Sequence, residues 1–128
     1  MHDPPTSKVI KTAKGHTLQL EDADGGEMIL LREGSKGHFL TLDQNGITVT
    51  DANSNTIQFS GDGIKIQGHE PKTVVQMTSD GIQIQDATGN TVTMSNSAFT
   101  LTAKVPFKID ASGQAITVVG ASIDLQQG

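Results

Sequence analysis

The chain has 128 residues, a formal net charge of −5, four Phe, no Tyr, no Trp and no Cys, and 34% of it is hydrophobic. One domain fits that length, yet so few large side chains would not fill a compact core of ordinary thickness. Disulfide staples, cysteine-held metals, a membrane-spanning helix of ~20 apolar residues and a basic nucleic-acid footprint are all excluded on the same grounds.

Residues 1–7, MHDPPTS, hold two prolines and predict an extended lead-in to a β-structured region over 8–128. Period-2 alternation then runs almost to the end of the chain. It begins with Leu18-Gln19-Leu20, Leu40-Thr41-Leu42, Ile47-Thr48-Val49, Ile57-Gln58-Phe59 and Ile64-Lys65-Ile66. It continues through Val75-Gln76-Met77, Ile82-Gln83-Ile84, Val92-Thr93-Met94 and Phe99-Thr100-Leu101. Phe107-Lys108-Ile109, Ile116-Thr117-Val118 and Ile123-Asp124-Leu125 complete a set of twelve predicted strands. Each places apolar groups on one face and Thr, Gln, Lys or Asp on the other. No segment has helical periodicity, so the predicted fold class is all-β.

The strands repeat. Leu40, Ile57, Val75 and Val92 open pairs spaced 17, 18 and 17 residues apart, and Ile47, Ile64, Ile82 and Phe99 keep the same steps. Two corner patterns punctuate them. Asp-Ala-x-(Gly/Ser) begins at Asp22, Asp51, Asp86 and Asp110, and (Asn/Asp)-Gly-Ile begins at Asn45, Asp62 and Asp80. Both read as tight turns, with Gly tolerating positive φ and Asn or Asp bonding the local backbone. Longer loops are expected at 32–38 and 68–73, and Pro106 marks an edge or bend.

Repeats of this length predict a stacked architecture. A single-chain β-helix would use ~18 residues per three-sided coil and stand only ~19 Å tall with four layers. Each period here holds two strands rather than three. Three chains wound into one three-faced prism give twelve layers per face, or roughly 58 Å. The intertwined homotrimer, a triple-stranded β-helix, is therefore the preferred reading. Its predicted core combines the apolar pairs Leu18, Leu20, Leu40, Leu42, Ile47, Val49, Ile57, Phe59, Ile64 and Ile66 with Val75, Met77, Ile82, Ile84, Val92, Met94, Phe99, Leu101, Ile116 and Val118.

Residues 7–31, SKVIKTAKGHTLQLEDADGGEMILL, resemble the stretch that opens the β-helical spike in the VgrG and phage-tail spike family. Ile10, Thr12, Gly15, His16, Leu18, Leu20 and Asp22 occupy the Ile-x-Thr-x-x-Gly-His-x-Leu-x-Leu-x-Asp pattern, and Gly26, Glu27 and Ile29 continue it. Extracellular contractile injection systems are nearest in style, with type VI secretion spikes in the same family. The family's preceding OB-fold and hub domains are not part of these 128 residues.

The resemblance implies a mechanical, non-enzymatic role: a spike at the tip of an inner tube, driven through a membrane when a sheath contracts. It also implies several partners, namely two further copies of the chain, a baseplate or tube hub at the N-terminal end and, transiently, the target membrane. A PAAR-type tip protein or effector would dock at the C-terminal end, on Ile123, Asp124, Leu125 and Gln126. Assembly would take place in the bacterial cytoplasm, into a phage tail or injection particle that acts outside the cell or in its target. No cofactor is implied.

His2, His16, His38 and His69 form no His-x-His or His-x-x-x-His pair. A threefold axis could gather His38 or His69 from three chains around a metal, but a surface loop is the better reading, and His16 reads as structural. Asp51-Ala52-Asn53-Ser54-Asn55 matches half of a calcium loop, with Thr56 where glycine would follow; recurrence at other corners favours turn chemistry. Asp22, Asp24 and Glu27 read as a turn too. No catalytic constellation is present, so no enzyme activity is expected. The competing functions are a trimeric fibre that binds a receptor or glycan, weakened by the missing Trp and Tyr, and a hexapeptide-type acyltransferase, whose spacing fails.

Overall fold

The computed structural model describes residues 5–70 and 72–128. The lead-in expected at 1–7 lies largely outside them, as do His2 and Pro71, and Ser7 already belongs to the first strand. Eleven strands follow one another: β1 (Ser7–Lys11), β2 (Thr17–Glu21), β3 (Met28–Arg32), β4 (Phe39–Asp43), β5 (Gly46–Thr50) and β6 (Thr56–Ser60), then β7 (Gly63–Gln67), β8 (Val74–Thr78), β9 (Gly81–Gln85), β10 (Thr91–Ser95) and β11 (Phe99–Thr102). They form one unclosed antiparallel sheet in strict sequence order, β1 to β11, and no helix occurs among the described residues. Ten inter-strand steps of ~4.8 Å make the ladder about 48 Å long.

Nine of the twelve predicted strands are present. β1 and β3 were not among them, because SKVIK and MILLR hide their period-2 pattern behind adjacent apolar residues. The three strands predicted at 107–109, 116–118 and 123–125 have no ladder among the described residues, and Ala103 to Gly128 holds no strand.

The meander gives the sheet two unlike edges. One carries two-residue turns at 44–45, 61–62 and 79–80. Before each turn, the last side chain of the strand accepts from the backbone N–H two residues on: Asp43 Oδ1 from Asn45, Ser60 Oγ from Asp62, and Thr78 Oγ1 from Asp80. After each turn the first residue is a glycine, Gly46, Gly63 or Gly81, with φ of 137°, 131° and 141°. A Cβ there would lie 1.8–1.9 Å from the carbonyl oxygen of Phe59, Met77 or Met94. The (Asn/Asp)-Gly-Ile pattern thus exists for two reasons, a backbone region closed to other residues and an approach closed to any side chain.

The opposite edge carries longer loops, 12–16, 33–38, 51–55, 68–73 and 86–90. Asp51 and Asp86 build equivalent corners here. Asp51 Oδ1 accepts from the N–H of Asn53 and Asn55 at 2.8 and 2.9 Å, and Oδ2 accepts from Asn55 Nδ2 at 2.7 Å. Asp86 repeats this with Thr88, Gly89 and Asn90. Asp51 accepts three and Asp86 four hydrogen bonds from its own corner, which is turn chemistry. The Asp22 corner differs: it falls on the tight-turn edge, and Glu21 Oε1, rather than Asp22, accepts from Ala23 N–H at 2.9 Å.

Candidate functional site

The strand register converts the alternation into columns. Ile10, Leu18, Leu31, Leu40, Val49, Ile57, Ile66, Val75, Ile84, Val92 and Leu101 are successive cross-strand partners. Two residues along each strand, Leu20, Ile29, Leu42, Ile47, Phe59, Ile64, Met77, Ile82, Met94 and Phe99 form a second column, begun by Lys8. The register places both columns on one face, since side chains two apart on a strand share a side of the pleat. Between them, on the other face, run Gln19, Thr41, Thr48, Gln58, Lys65, Gln76, Gln83, Thr93 and Thr100, with Val9 and Leu30 as the apolar exceptions near the N-terminal end.

This double apolar column is the site. Among the described residues none is buried, and Ile57 in mid-sheet is 38% exposed, Leu101 near its end 54%. A face of some twenty aliphatic and Phe or Met side chains, continuous over about 48 Å, far exceeds the apolar patch a soluble monomer leaves to water. Among the described residues no second strand layer packs against this face.

The eighteen residues from Leu18 to Leu101 in the sequence-predicted core all fall in these two columns. Ile10, Ile29 and Leu31 belong there too and were missed, again because their strands break simple alternation. Ile116 and Val118 lie outside the sheet, 54% and 68% exposed. Ile123, Asp124, Leu125 and Gln126 lie outside any strand and are exposed, Leu125 at 93%, and Gln126 Nε2 donates to Asp124 Oδ2 at 2.6 Å.

The long-loop edge holds a feature that sequence reasoning did not find. Side-chain acceptors in one loop take a backbone N–H of the next loop along that edge. His16 Nδ1 accepts from Gly34 at 3.1 Å and His38 Nδ1 from Ala52 at 3.0 Å. Asn55 Oδ1 accepts from His69 at 2.9 Å and Asn90 Oδ1 from Lys104 at 2.7 Å. Three of the four links span 14 residues, so the spacing was a signal, but one without a motif to announce it. The first link is also a close backbone packing: a Cβ on Gly34 would sit 2.4 Å from the Lys14 carbonyl oxygen.

Charges on this edge are tuned by the same bonds. The Asn55 side chain, then its backbone N–H, holds the Asp51 carboxyl below its ordinary range, and the Asn90 side chain does the same for Asp86. Glu33 is lowered to about 2, chiefly by the Ser35 hydroxyl and then by the Lys36 N–H. His38 and His69 lie in this edge rather than in the apolar columns. Among the described residues no three His, Asp or Glu side chains gather where they could hold a metal ion.

Residues 7–70 match the family model described as the phage baseplate V C-terminal trimerisation domain. No curated protein matches the chain.

Proposed function

Because the chain belongs to the phage baseplate V C-terminal trimerisation domain family, we propose that it is the non-enzymatic spike of a phage-tail-like particle, a homotrimer that leads a contractile tube through a membrane. The trimer and the tail-spike role follow from the family. One observation supports the trimeric assembly: eleven strands expose two apolar columns that the described residues of one chain do not bury. Three such sheets, columns inward, make a three-walled prism with Leu, Ile, Val, Met and Phe around its axis and a Thr, Gln and Lys exterior. The predicted core from Leu18 to Leu101 supplies those walls, with Ile116 and Val118 beyond them.

The mechanical reading rests on the direction of the hydrogen bonds. Strands stack along the long axis of the sheet, so an axial load is shared by every ladder step. Three sheets closing on one another also bury their apolar faces together, and folding becomes inseparable from assembly. Slow unfolding suits a device that must cross a membrane intact. On this reading the N-terminal end adjoins a baseplate or tube hub, and the exposed end at Ile123, Asp124, Leu125 and Gln126 receives a PAAR-type tip or an effector. The particle is assembled in the bacterial cytoplasm and acts on a second cell.

Light scattering on the purified chain tests the core of the proposal. A mass three times 13.5 kDa is expected. A folded monomer overturns it. Piercing is tested separately, by loss of target-membrane integrity with intact particles against particles whose spike carries an Ile57→Asp substitution.

A further inference from the structure

The five loops of the long-loop edge, 12–16, 33–38, 51–55, 68–73 and 86–90, are closed by the same backbone bond. The N–H of the first residue donates to the carbonyl of the last: Thr12 to His16 at 3.0 Å, Glu33 to His38 at 2.8 Å, Asp51 to Asn55 at 3.1 Å, Gly68 to Thr73 at 3.0 Å and Asp86 to Asn90 at 3.2 Å. The closing residue therefore occupies one structural place in all five. In four loops its side chain reaches on along the edge and takes the N–H of Gly34, Ala52, His69 or Lys104. Gly34, Ala52 and His69 are each the second residue of their own loop.

The remaining closing residue is Thr73, and it makes no such link. Ala87, the second residue of the next loop, lies 14 residues beyond it, the step that separates His38 from Ala52, Asn55 from His69 and Asn90 from Lys104. Among the described residues neither the Thr73 hydroxyl nor the Ala87 N–H makes a hydrogen bond. The cause is reach. Histidine Nδ1 and asparagine Oδ1 both stand two bonds from Cβ, whereas threonine Oγ1 stands one bond from it. Loop 68–73 is also where the repeat lengthens, since Ile57 and Val75 are 18 residues apart where Leu40 and Ile57 are 17.

The long-loop edge thus falls into two tied runs. Links join the loops from Thr12 to Thr73 in one series, and a separate link joins loop 86–90 to Lys104. Between the runs stand the β8–β9 ladder and the turn at 79–80. A single hydrogen bond of this kind changes an opening equilibrium roughly five-fold.

We propose that the β8–β9 step is a seam at which the protein opens first, the strands from β9 onward loosening as one unit while β1 to β8 stay folded. The seam is a property of one chain, goes beyond the spike reading and stands without it. On the trimeric reading three seams fall at one height and give a stiff stack one compliant level.

Native-state hydrogen exchange on the full-length chain reads the seam directly. Amides of β9 and β10 are expected to exchange together, at least ~5-fold faster than those of β6 to β8. Thr73→Asn supplies an acceptor of the length that the other loops use. It should slow β9 and β10 about five-fold while β2 to β5 keep their rates, and Thr73→Ser, with its short hydroxyl, should change nothing. Fraying from the C-terminal end would persist in Thr73→Asn, which separates it from a seam. His38→Thr makes the same omission between loops 33–38 and 51–55 and should create a second step of similar size between β4 and β5. Equal exchange on both sides of the β8–β9 step overturns the proposal, as does a step that survives Thr73→Asn at an undiminished melting temperature. If that variant melts lower than the parent chain, His38→Thr decides, and the lack of a new step overturns the seam.

Discussion

Asn90 donates from Nδ2 to Asp86 Oδ2 at 2.8 Å, while its own Oδ1 accepts from the backbone of Lys104 at 2.7 Å. One side chain thus closes its own corner and ties that corner to the next segment along the edge. Asn55 does the same between Asp51 and His69. Replacing Asn90 with Ala removes both bonds and is expected to cost about 1 kcal/mol. Asn90→Gln should lose nearly as much, since the extra methylene moves the amide away from both Asp86 and the Lys104 N–H. Thermal melts of the two variants check this, and an Asn90→Gln melt equal to that of the parent chain would refute it.

Gly61 lies in the turn that Gly63 follows, and the two should respond differently to alanine. A Cβ on Gly63 would lie 1.9 Å from the Met77 carbonyl oxygen at a φ of 131°, whereas one on Gly61 meets nothing within 4 Å. Gly63→Ala is expected to cost more than ~3 kcal/mol by strain and displacement of β8. Gly61→Ala should be within ~0.5 kcal/mol of neutral. Yield and melting temperature of the pair decide the matter.

The two faces of β6 predict a contrast in assembly. Ile57→Asp places a carboxylate of every copy into the apolar columns, and the mass in solution should fall to that of a single chain or the protein should aggregate. Gln58→Asp, one residue on and facing outward, should leave the trimeric mass unchanged. Equal behaviour of the two variants would invalidate the assignment of faces.

Acid should destabilise the protein only at low pH. The carboxyls of Asp51, Asp86 and Glu33 have folded pKa values below their ordinary ones, so each binds its proton more weakly when folded. Their stabilising contribution is full above the ordinary values of 3.8 for Asp and 4.5 for Glu, and is lost as pH falls through the folded values, about 2 for Glu33. The melting temperature should show no loss from these groups between pH 7 and about 5, then fall toward pH 2. An Asp51→Asn/Asp86→Asn variant should have a shallower acid limb, measured over the same range.

Much of this architecture is legible in the residues themselves. Leu40-Thr41-Leu42 or Ile82-Gln83-Ile84 can serve only as a strand with one apolar face, and Asp62-Gly63 only as a tight turn, because the pleat and the left-handed backbone region are local constraints. Those constraints name eighteen members of the two columns and the two corner chemistries. SKVIK and MILLR escaped because adjacent apolar residues blur the period, and the His16, His38, Asn55 and Asn90 links escaped because a hydrogen bond between loops leaves no periodic trace.

Alternation says which face a side chain takes, and it is silent on which strand lies beside it. The sequence by itself determined an all-β chain with one apolar face, its repeats and its corners, and the absence of material for a private core. Only the tertiary structure decided that strands pair strictly with their sequence neighbours through Thr102, that the Asp51 and Asp86 corners close on Asn55 and Asn90, and that among the described residues Phe107 to Leu125 join no strand. Pairing depends on the backbone groups that arrive alongside, and those come from distant residues or from another copy altogether.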